Sequence, residues 1–479
     1  MLGNRISQHN FAQTPSVNMA RSVFDRSFAI KDTFNFDYLI PIFVDEILPG
    51  DTCNVKMHTF ARLATQLVPV MDNMYIDYFF FYVPNRLLWT NWEKFNGAQT
   101  DPGDPTAYNL PYLDTFPSGG PEVDTIYDKM GLPTDITGGY TLYNTLPLRA
   151  YNLIWNEWFR SELLQDSVVK NMDDGPDQIA DYALLKRCKK HDYFTSATPE
   201  PQKGDPQYLN MGTQLVTRVA STGAWEVYYA GGNTKVSTDT DIQVNTLGRL
   251  HNTTNTVSLD PVGGLQVDLD GILNINEFRD AMLVQSLLEL DMRGGTRYTE
   301  ILLNHFNVVS PDFRLQRPEY LGGGSTKIAS HPVPQSAPTS GSNYFAQLGA
   351  FGTSSTSGSP IGFTKSFVEH GYVIGLACAR ADITYQQGLN RMWMRITRYD
   401  FFWPKLQELG EQTVGSHEIY MDNSTNDVFG YQERYAEYRY KPSEIHGQFR
   451  STYASAIDQW HMAEEFGSVP SLNAAFITQ

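Results

Sequence analysis

The run MYIDYFFFYVP (74–84) carries large apolar side chains at both odd and even positions. Alternate residues of a strand point to opposite faces, so this segment predicts a strand buried on both sides. YVIGLACA (372–379) reads the same way. Both runs are too short to cross a bilayer. TCNVKMHTF (52–60) instead alternates, with Cys53, Val55 and Met57 on one face and Asn54, Lys56 and His58 on the other. That pattern predicts a half-buried strand. FNFDYLIPIFVDEILPGD (34–51) reads as extended chain broken by Pro41 and Pro49.

Helical signals are fewer. Tyr151, Ile154, Trp155, Trp158, Phe159 and Leu163 recur at helical spacing. Asn274 with Glu277 forms a capping signature, and the helix it opens is expected to end near Met292, before Gly294-Gly295. A short helix with Tyr298, Ile301, Leu302 and Phe306 follows. Further strands are expected within 366–382, 390–404, 417–421 and 435–442. Residues 322–362, rich in Gly, Ser, Thr and Pro, read as a long loop held by contacts.

The segmentation follows these textures. Residues 1–31 are a polar arm with scattered Arg and Lys, which needs a partner surface. Residues 32–202 form the first part of the body. Residues 203–272 are Thr, Asn, Asp and Gly-rich, with strand-like pieces such as AWEVYYA (224–230), and read as a mainly β excursion. Residues 273–479 complete the body. The strand-rich pattern with long excursions fits a Greek-key barrel, whose corner loops accept insertions.

The 479 residues are 41% hydrophobic and 13% aromatic, which excludes a mostly disordered chain. A compact monomer of this size would expose about 18,000 Å². Charged residues make up only 19%, against about 25% usually. Few charges and many rings suit a surface covered by other protein. The net charge of −17 argues against a surface that neutralises nucleic acid throughout. Cys53, Cys188 and Cys378 lie far apart and suggest reduced thiols. The N-terminal residues lack the apolar core of a signal peptide, so a soluble, non-exported chain is expected.

Catalytic patterns fail on inspection. His417-Glu418 is followed by Met421 where a zinc-protease helix needs a second His. No G-x-S-x-G elbow occurs. LGGGST (321–326) lacks a phosphate-loop Lys and reads as a turn. DLDG (268–271) lacks the later calcium ligands and also reads as a turn. No residue is therefore assigned to catalysis, to a metal or to a cofactor.

Three basic stretches carry more weight. KRCKKH (186–191) holds four fixed positive charges. Arg391, Arg395 and Arg398, then Lys405, sit among Trp393, Tyr399, Phe401 and Trp403. Arg434, Arg439, Lys441 and Arg450 sit among Tyr431, Tyr435, Tyr438, Tyr440 and Phe449. Rings stack on bases while Arg meets phosphate, so this interleaving suits single-stranded nucleic acid. The competing reading is core or subunit interface, where Tyr and Arg are also enriched. From 380 to 450 the ten acids slightly exceed the nine Lys and Arg, and Glu433, Glu437 and Glu444 are available to pair with these Arg across an interface.

FGYQERYAEYRYKPSEIHGQFRS (429–451) and FFYVPNRLLWTNWEKF (80–95) resemble the major capsid protein of microviruses, phages with circular single-stranded DNA. RSVFDRSF (21–28), FVDEILPGDT (43–52), GGTRYTEILLNHFNVVSPDFRLQRPEYLGGG (294–324), RADITYQQGLNRMW (380–393), WHMAEEF (460–466) and PSLNAAFI (470–477) resemble the gokushovirus branch. The resemblance spans nearly the whole chain except 203–272. It implies a mainly β protein: an eight-stranded antiparallel jelly-roll barrel with large loop insertions and a few helices. It implies pentamers that build a T=1 icosahedral shell around the genome, with no enzymatic activity. It places the protein in the virion, assembled in the host bacterial cytoplasm. The implied partners are copies of itself, the single-stranded DNA genome, a small basic DNA-binding protein, an internal scaffolding protein, a DNA pilot protein and a host surface receptor. By position, 203–272 would be the protrusion at the threefold axes. The alternative from composition alone is a carbohydrate-active β-sandwich, with rings for sugars and paired carboxylates for catalysis.

Overall fold

The computed structural model describes residues 21–478 apart from 65, 67, 102, 106, 335–347, 356–360, 408 and 423–425, and apart from most of 206–274, where only short strand pieces are described. Residues 1–20, the capping residue Asn274, the DLDG segment beyond Asp268 and most of the 203–272 excursion therefore lie outside the described residues.

The two doubly apolar runs form the centre of one sheet. The strands are β1 (Ile40–Ile47), β2 (Thr52–Met57), β3 (Phe60–Arg62), β4 (Met74–Pro84), β5 (Glu319–Pro334), β6 (Leu348–Ser355), β7 (Ile361–Ser366) and β8 (Gly371–Ala381). They pair antiparallel in the order β1-β8-β4-β5-β6-β3, with β7-β2 as a separate ribbon. Long β5 pairs its first half with β4 and its second half with β6, which curls the sheet into a half-barrel. β4 and β8 pair along their whole length, with Phe81 opposite Ile374.

Each face of β4 has its own layer. Met74, Ile76, Tyr78, Phe80 and Tyr82 join Val373, Ala377 and Ala379 of β8 in a core closed by Ile361 and Phe363 of β7. Phe80 and Phe363 have ring centroids 5.4 Å apart. Phe81 and Val83 face the other way, with Ile374, Leu376 and Cys378, onto helix α1 (Leu146–Ile154) and the helical turn Trp155–Phe159. Phe81 meets Trp158 at 5.4 Å and Phe79 meets Phe159 at 5.1 Å. Adjacent phenylalanines thus serve opposite layers, as a period of two requires. β2 alternates between exposed and half-buried positions, with Cys53, Val55 and Met57 inward.

Two buried aspartates, Asp77 and Asp177, hold arginines around this frame. Asp77, the one acid of β4, accepts from Arg187 Nη1 and from Arg380 Nε, each at 2.6 Å. Burial alone would raise its pKa, but hydrogen bonds from Arg380, Ser325 and Arg187 outweigh that and hold it below the usual range. Arg149 of α1 grips Asp177 bidentately, with Nε at 2.8 Å and Nη2 at 2.6 Å.

Several expectations need correction. Residues 322–362 are not one long loop, because β5, β6 and the start of β7 fall within them. LGGGST lies inside β5 and is not a turn. A Cβ on Gly323 would sit 2.2 Å from the Tyr78 carbonyl oxygen, and one on Gly324 would sit 3.0 Å from Ile361. The glycines let β5 pass between β4 and β7. The expected strands at 390–404, 417–421 and 435–442 are 3-10 or helical turns instead, at Arg391–Met394, Arg398–Asp400, Pro404–Leu406, Ser416–Ile419 and Ala436–Tyr438. Phe402 packs on Tyr435 and Tyr438 across two of these segments, and none of the turns pairs as a strand with another described residue. β1 runs through Pro41 with a bulge between Pro41 and Phe43, where the missing N–H does least harm.

Helix α2 (Ile275–Gly294) and helix α3 (Tyr298–Phe306) form as expected. Short antiparallel strand pairs, such as Glu226–Tyr229 with Val257–Asp260, occur within the excursion. No helix among the described residues is long and apolar enough to cross a membrane. All three cysteines are free, and burial pushes the Cys378 thiol up to about 12.

The segment 21–34 runs extended over the open side of the half-barrel. Arg26 pairs with both oxygens of Asp45 at 2.8 and 2.9 Å, and Phe28 stacks on Phe43 at 6.0 Å. Its outer residues are bare, with Val23 fully exposed and Phe24 79% exposed.

Three substitutions probe this frame. Gly323→Ala should destabilise by about 2 kcal/mol or more through overpacking. Gly103→Ala, at a site with nothing within 4 Å of the added Cβ, should change the melting temperature little. Asp77→Ala should cost roughly 3–5 kcal/mol in chemical denaturation, because it strands two arginines. A carboxyl held below its unfolded pKa binds fewer protons when folded. The contribution of Asp77 is therefore present above about pH 4 and lost as the pH falls further. The stability difference between wild type and Asp77→Ala should shrink in acid.

Candidate interface in the C-terminal region

The basic residues singled out in the sequence gather around a small ribbon, β9 (Glu411–Gly415) with β10 (Val428–Glu433). A satellite core of Tyr193, Phe194, Tyr385, Val414, Ile419, Phe429 and Phe476 supports it. Two groups of cations emerge.

Arg391 and Arg395 are held inside. Arg391 Nη1 donates to Glu418 Oε1 at 3.0 Å and to the Thr413 carbonyl at 2.7 Å. Arg395 Nη2 donates to Glu437 Oε1 at 3.3 Å, and its guanidinium lies 4.4 Å from the centroid of the Tyr438 ring. Burial holds the Glu418 carboxyl above its usual range, against the pull of Arg391, the Gly415 amide and the Tyr193 hydroxyl. The cavity bounded by Tyr193, Arg391, Glu418 and Glu437 is about 30 Å³. That is room for a water or two, not for a sugar ring.

The others are less enclosed: Arg398, Arg439 and Lys441 are exposed, while Arg434 and Arg450 are half-buried. Arg398 lies exposed over Tyr399 and Trp403, each at 5.2 Å. Arg434 lies over Tyr435 at 5.1 Å. Arg439 pairs with Glu433 and lies over Tyr440 at 5.7 Å. Lys441 is exposed, and Arg450 meets His446 Nδ1 at 3.2 Å. Around them Trp393 is 71% exposed and Ile396 92%. Tyr399, Phe401, Tyr438 and Tyr440 are exposed too. Phe402 packs on Tyr435 and Tyr438, which fixes this layer to the ribbon.

The sequence offered Glu433, Glu437 and Glu444 as partners across an interface; within the chain Glu433 meets Arg293 and Arg439, Glu437 meets Arg395, and Glu444 lies 3.5 Å from His446. It gave no role to Glu418 or Asp77. A single acid inside MYIDYFFFYVP was the available signal for Asp77. KRCKKH is also spoken for internally: Arg187 reaches Asp77, Lys189 reaches Glu464 at 2.7 Å, and Lys190 lies 3.5 Å from Asp382. Among the described residues no cluster of His, Cys, Asp and Glu could hold a metal.

The two groups should separate by stability. Arg391→Gln or Arg395→Gln leaves a buried carboxylate and should cost roughly 3 kcal/mol. Arg398→Gln and Lys441→Gln should stay within about 0.5 kcal/mol of wild type. Urea titration of each variant measures the difference.

Comparison with known proteins identifies the family. The profile of the phage family described as capsid protein (F protein) matches residues 12–479. Capsid protein VP1 of Bdellovibrio phage phiMH2K is 52% identical, over 99% of this chain and 91% of that protein. VP1 of Chlamydia phage 1 is 37% identical over 98% and 91%, and VP1 of Spiroplasma virus 4 is 31% identical over 98% and 90%. All three relatives come from gokushoviruses. The chain thus belongs to the phage capsid protein (F protein) family, and is a structural protein of the virion, not an enzyme.

Proposed function

We propose that this chain assembles through pentamers into a T=1 icosahedral shell around a circular single-stranded DNA genome. The observation that carries the reading is uncovered apolar surface. Among the described residues Val23, Phe24, Leu283, Val309, Val368, Trp393 and Ile396 are each more than 65% exposed. Patches of large apolar side chains on a lone subunit mark interaction sites. The N-terminal arm, α2 with α3, and the ring-rich C-terminal turns all carry them.

In this reading the strands β1 to β8 close as an eight-stranded jelly roll, with the β2-β7 ribbon as part of the opposing sheet. The wedge is rigid because its central strands are buried on both faces. Arg398, Arg434, Arg439, Lys441 and Arg450 are the cations proposed to meet DNA, since rings beside them offer stacking platforms. Arg391 and Arg395 keep a place in the proposal only as supports of that surface. With a net charge of −17, most phosphate neutralisation falls to another component, in keeping with a small basic DNA-binding protein. An internal scaffolding protein, a DNA pilot protein and assembly in the host cytoplasm complete the proposal. Residues 203–272 are proposed as a threefold protrusion used to attach to a host receptor.

Electron microscopy of purified chain under assembly conditions tests the shell. Icosahedral particles are expected, and a persistent monomer would overturn the proposal. Replacing Arg398, Arg439 and Lys441 together by Gln should lower DNA retained per particle several-fold while shells still form. Failure to form shells would assign these residues to subunit contacts instead.

A further inference from the structure

Helix α2 is anchored at its C-terminal end and bare at its N-terminal end. Met292 is buried, Arg293 pairs with Glu411 at 2.9 Å and Glu433 at 2.7 Å, and Asp291 meets His305 of α3 at 2.7 Å. Ala281, Gln285, Leu288 and Glu289 are partly covered on the side that faces the body. Leu283 and Leu287 lie about 160° round the helix from Gln285, at 100° per residue. They are 69% and 50% exposed, and Met282 and Val284 beside them are 58% and 44% exposed. From Ala281 to Leu288 the helix has no charged residue. A helix apolar on its outer face as well as its inner one belongs in a protein interior.

We infer that this stretch of α2 packs against the same stretch of a second copy of this chain, across a twofold axis. The inference rests on the shell reading and adds a named contact to it. Three observations select this occupant. The family makes copies of the chain the expected neighbours. An uncharged stripe set against itself leaves no buried charge unpaired, so it is self-complementary in the way an isologous contact requires. Leu283 and Leu287 are open on that outer face, with Met282 and Val284 at its flanks, so a second copy would cover apolar area that the subunit itself leaves bare. The Arg293 ion pairs hold the helix at a fixed angle to the ribbon, so the contact would form between rigid bodies.

The test uses particles assembled from full-length chain carrying Leu283→Cys, treated with a short bismaleimide. Covalent dimers at least tenfold above wild type and above Val368→Cys, an exposed site elsewhere, are expected. A second variant, Leu283→Glu with Leu287→Glu, should lower particle yield at least tenfold without changing the melting temperature of the unassembled subunit. Recovery of monomer without covalent dimer, or normal assembly of the double variant, would overturn the contact while leaving the shell intact. A melting temperature lowered by several degrees would place the face under the chain's own residues and overturn it as well. Absence of particles from wild type would instead remove the shell reading beneath it.

Discussion

A strand with large apolar groups on both faces cannot lie at a surface. β4 forces a layer of protein above and below itself, and much of the architecture follows from that. Phe80 directs one layer, the barrel interior with Phe363. Phe79 and Phe81 direct the other, the helical layer around Trp158 and Phe159. β8 repeats the demand on its own two faces and shares both layers. The half-barrel and the helical layer of α1 and Trp155–Phe159 are therefore parts of one packing arrangement.

Charge is handled by the same logic of enclosure. The chain has few cations, and many are committed internally. Asp77 ties Arg187 and Arg380 beneath the sheet, Asp177 ties Arg149, and Glu418 and Glu437 tie Arg391 and Arg395. Buried pairs of this kind add little net stability over an apolar substitute, but losing one partner is severe. They fix which excursion sits where. In the C-terminal turns the exposed Arg398 and Arg439 lie over exposed rings.

What is left uncovered is as informative as what is covered. The N-terminal arm displays Val23 and Phe24, α2 displays Leu283, and the C-terminal turns display Trp393 and Ile396. These patches lie on segments anchored by specific contacts, such as Arg26 with Asp45 and Arg293 with Glu411 and Glu433. Anchored apolar groups without a cover are what a building block of a shell would carry.

The sequence by itself determined the local periodicities and the family. The two-faced runs at 74–84 and 372–379, the alternation at 52–57 and the helices at 275–294 and 298–306 were legible because each is set by neighbours within a turn or a pleat. Tertiary structure decided the rest. LGGGST reads as a turn until β4 and β7 are placed on either side, and only then does the lack of a Cβ become the condition for a strand. The aromatic stretches 390–404 and 435–442 have strand composition, yet form turns that meet where Phe402 packs on Tyr435 and Tyr438. Which arginines are free was likewise invisible, since Glu418 and Glu437 reach Arg391 and Arg395 only after the chain folds back. Pairing across tens of residues depends on where the backbone goes, and local pattern carries no record of that.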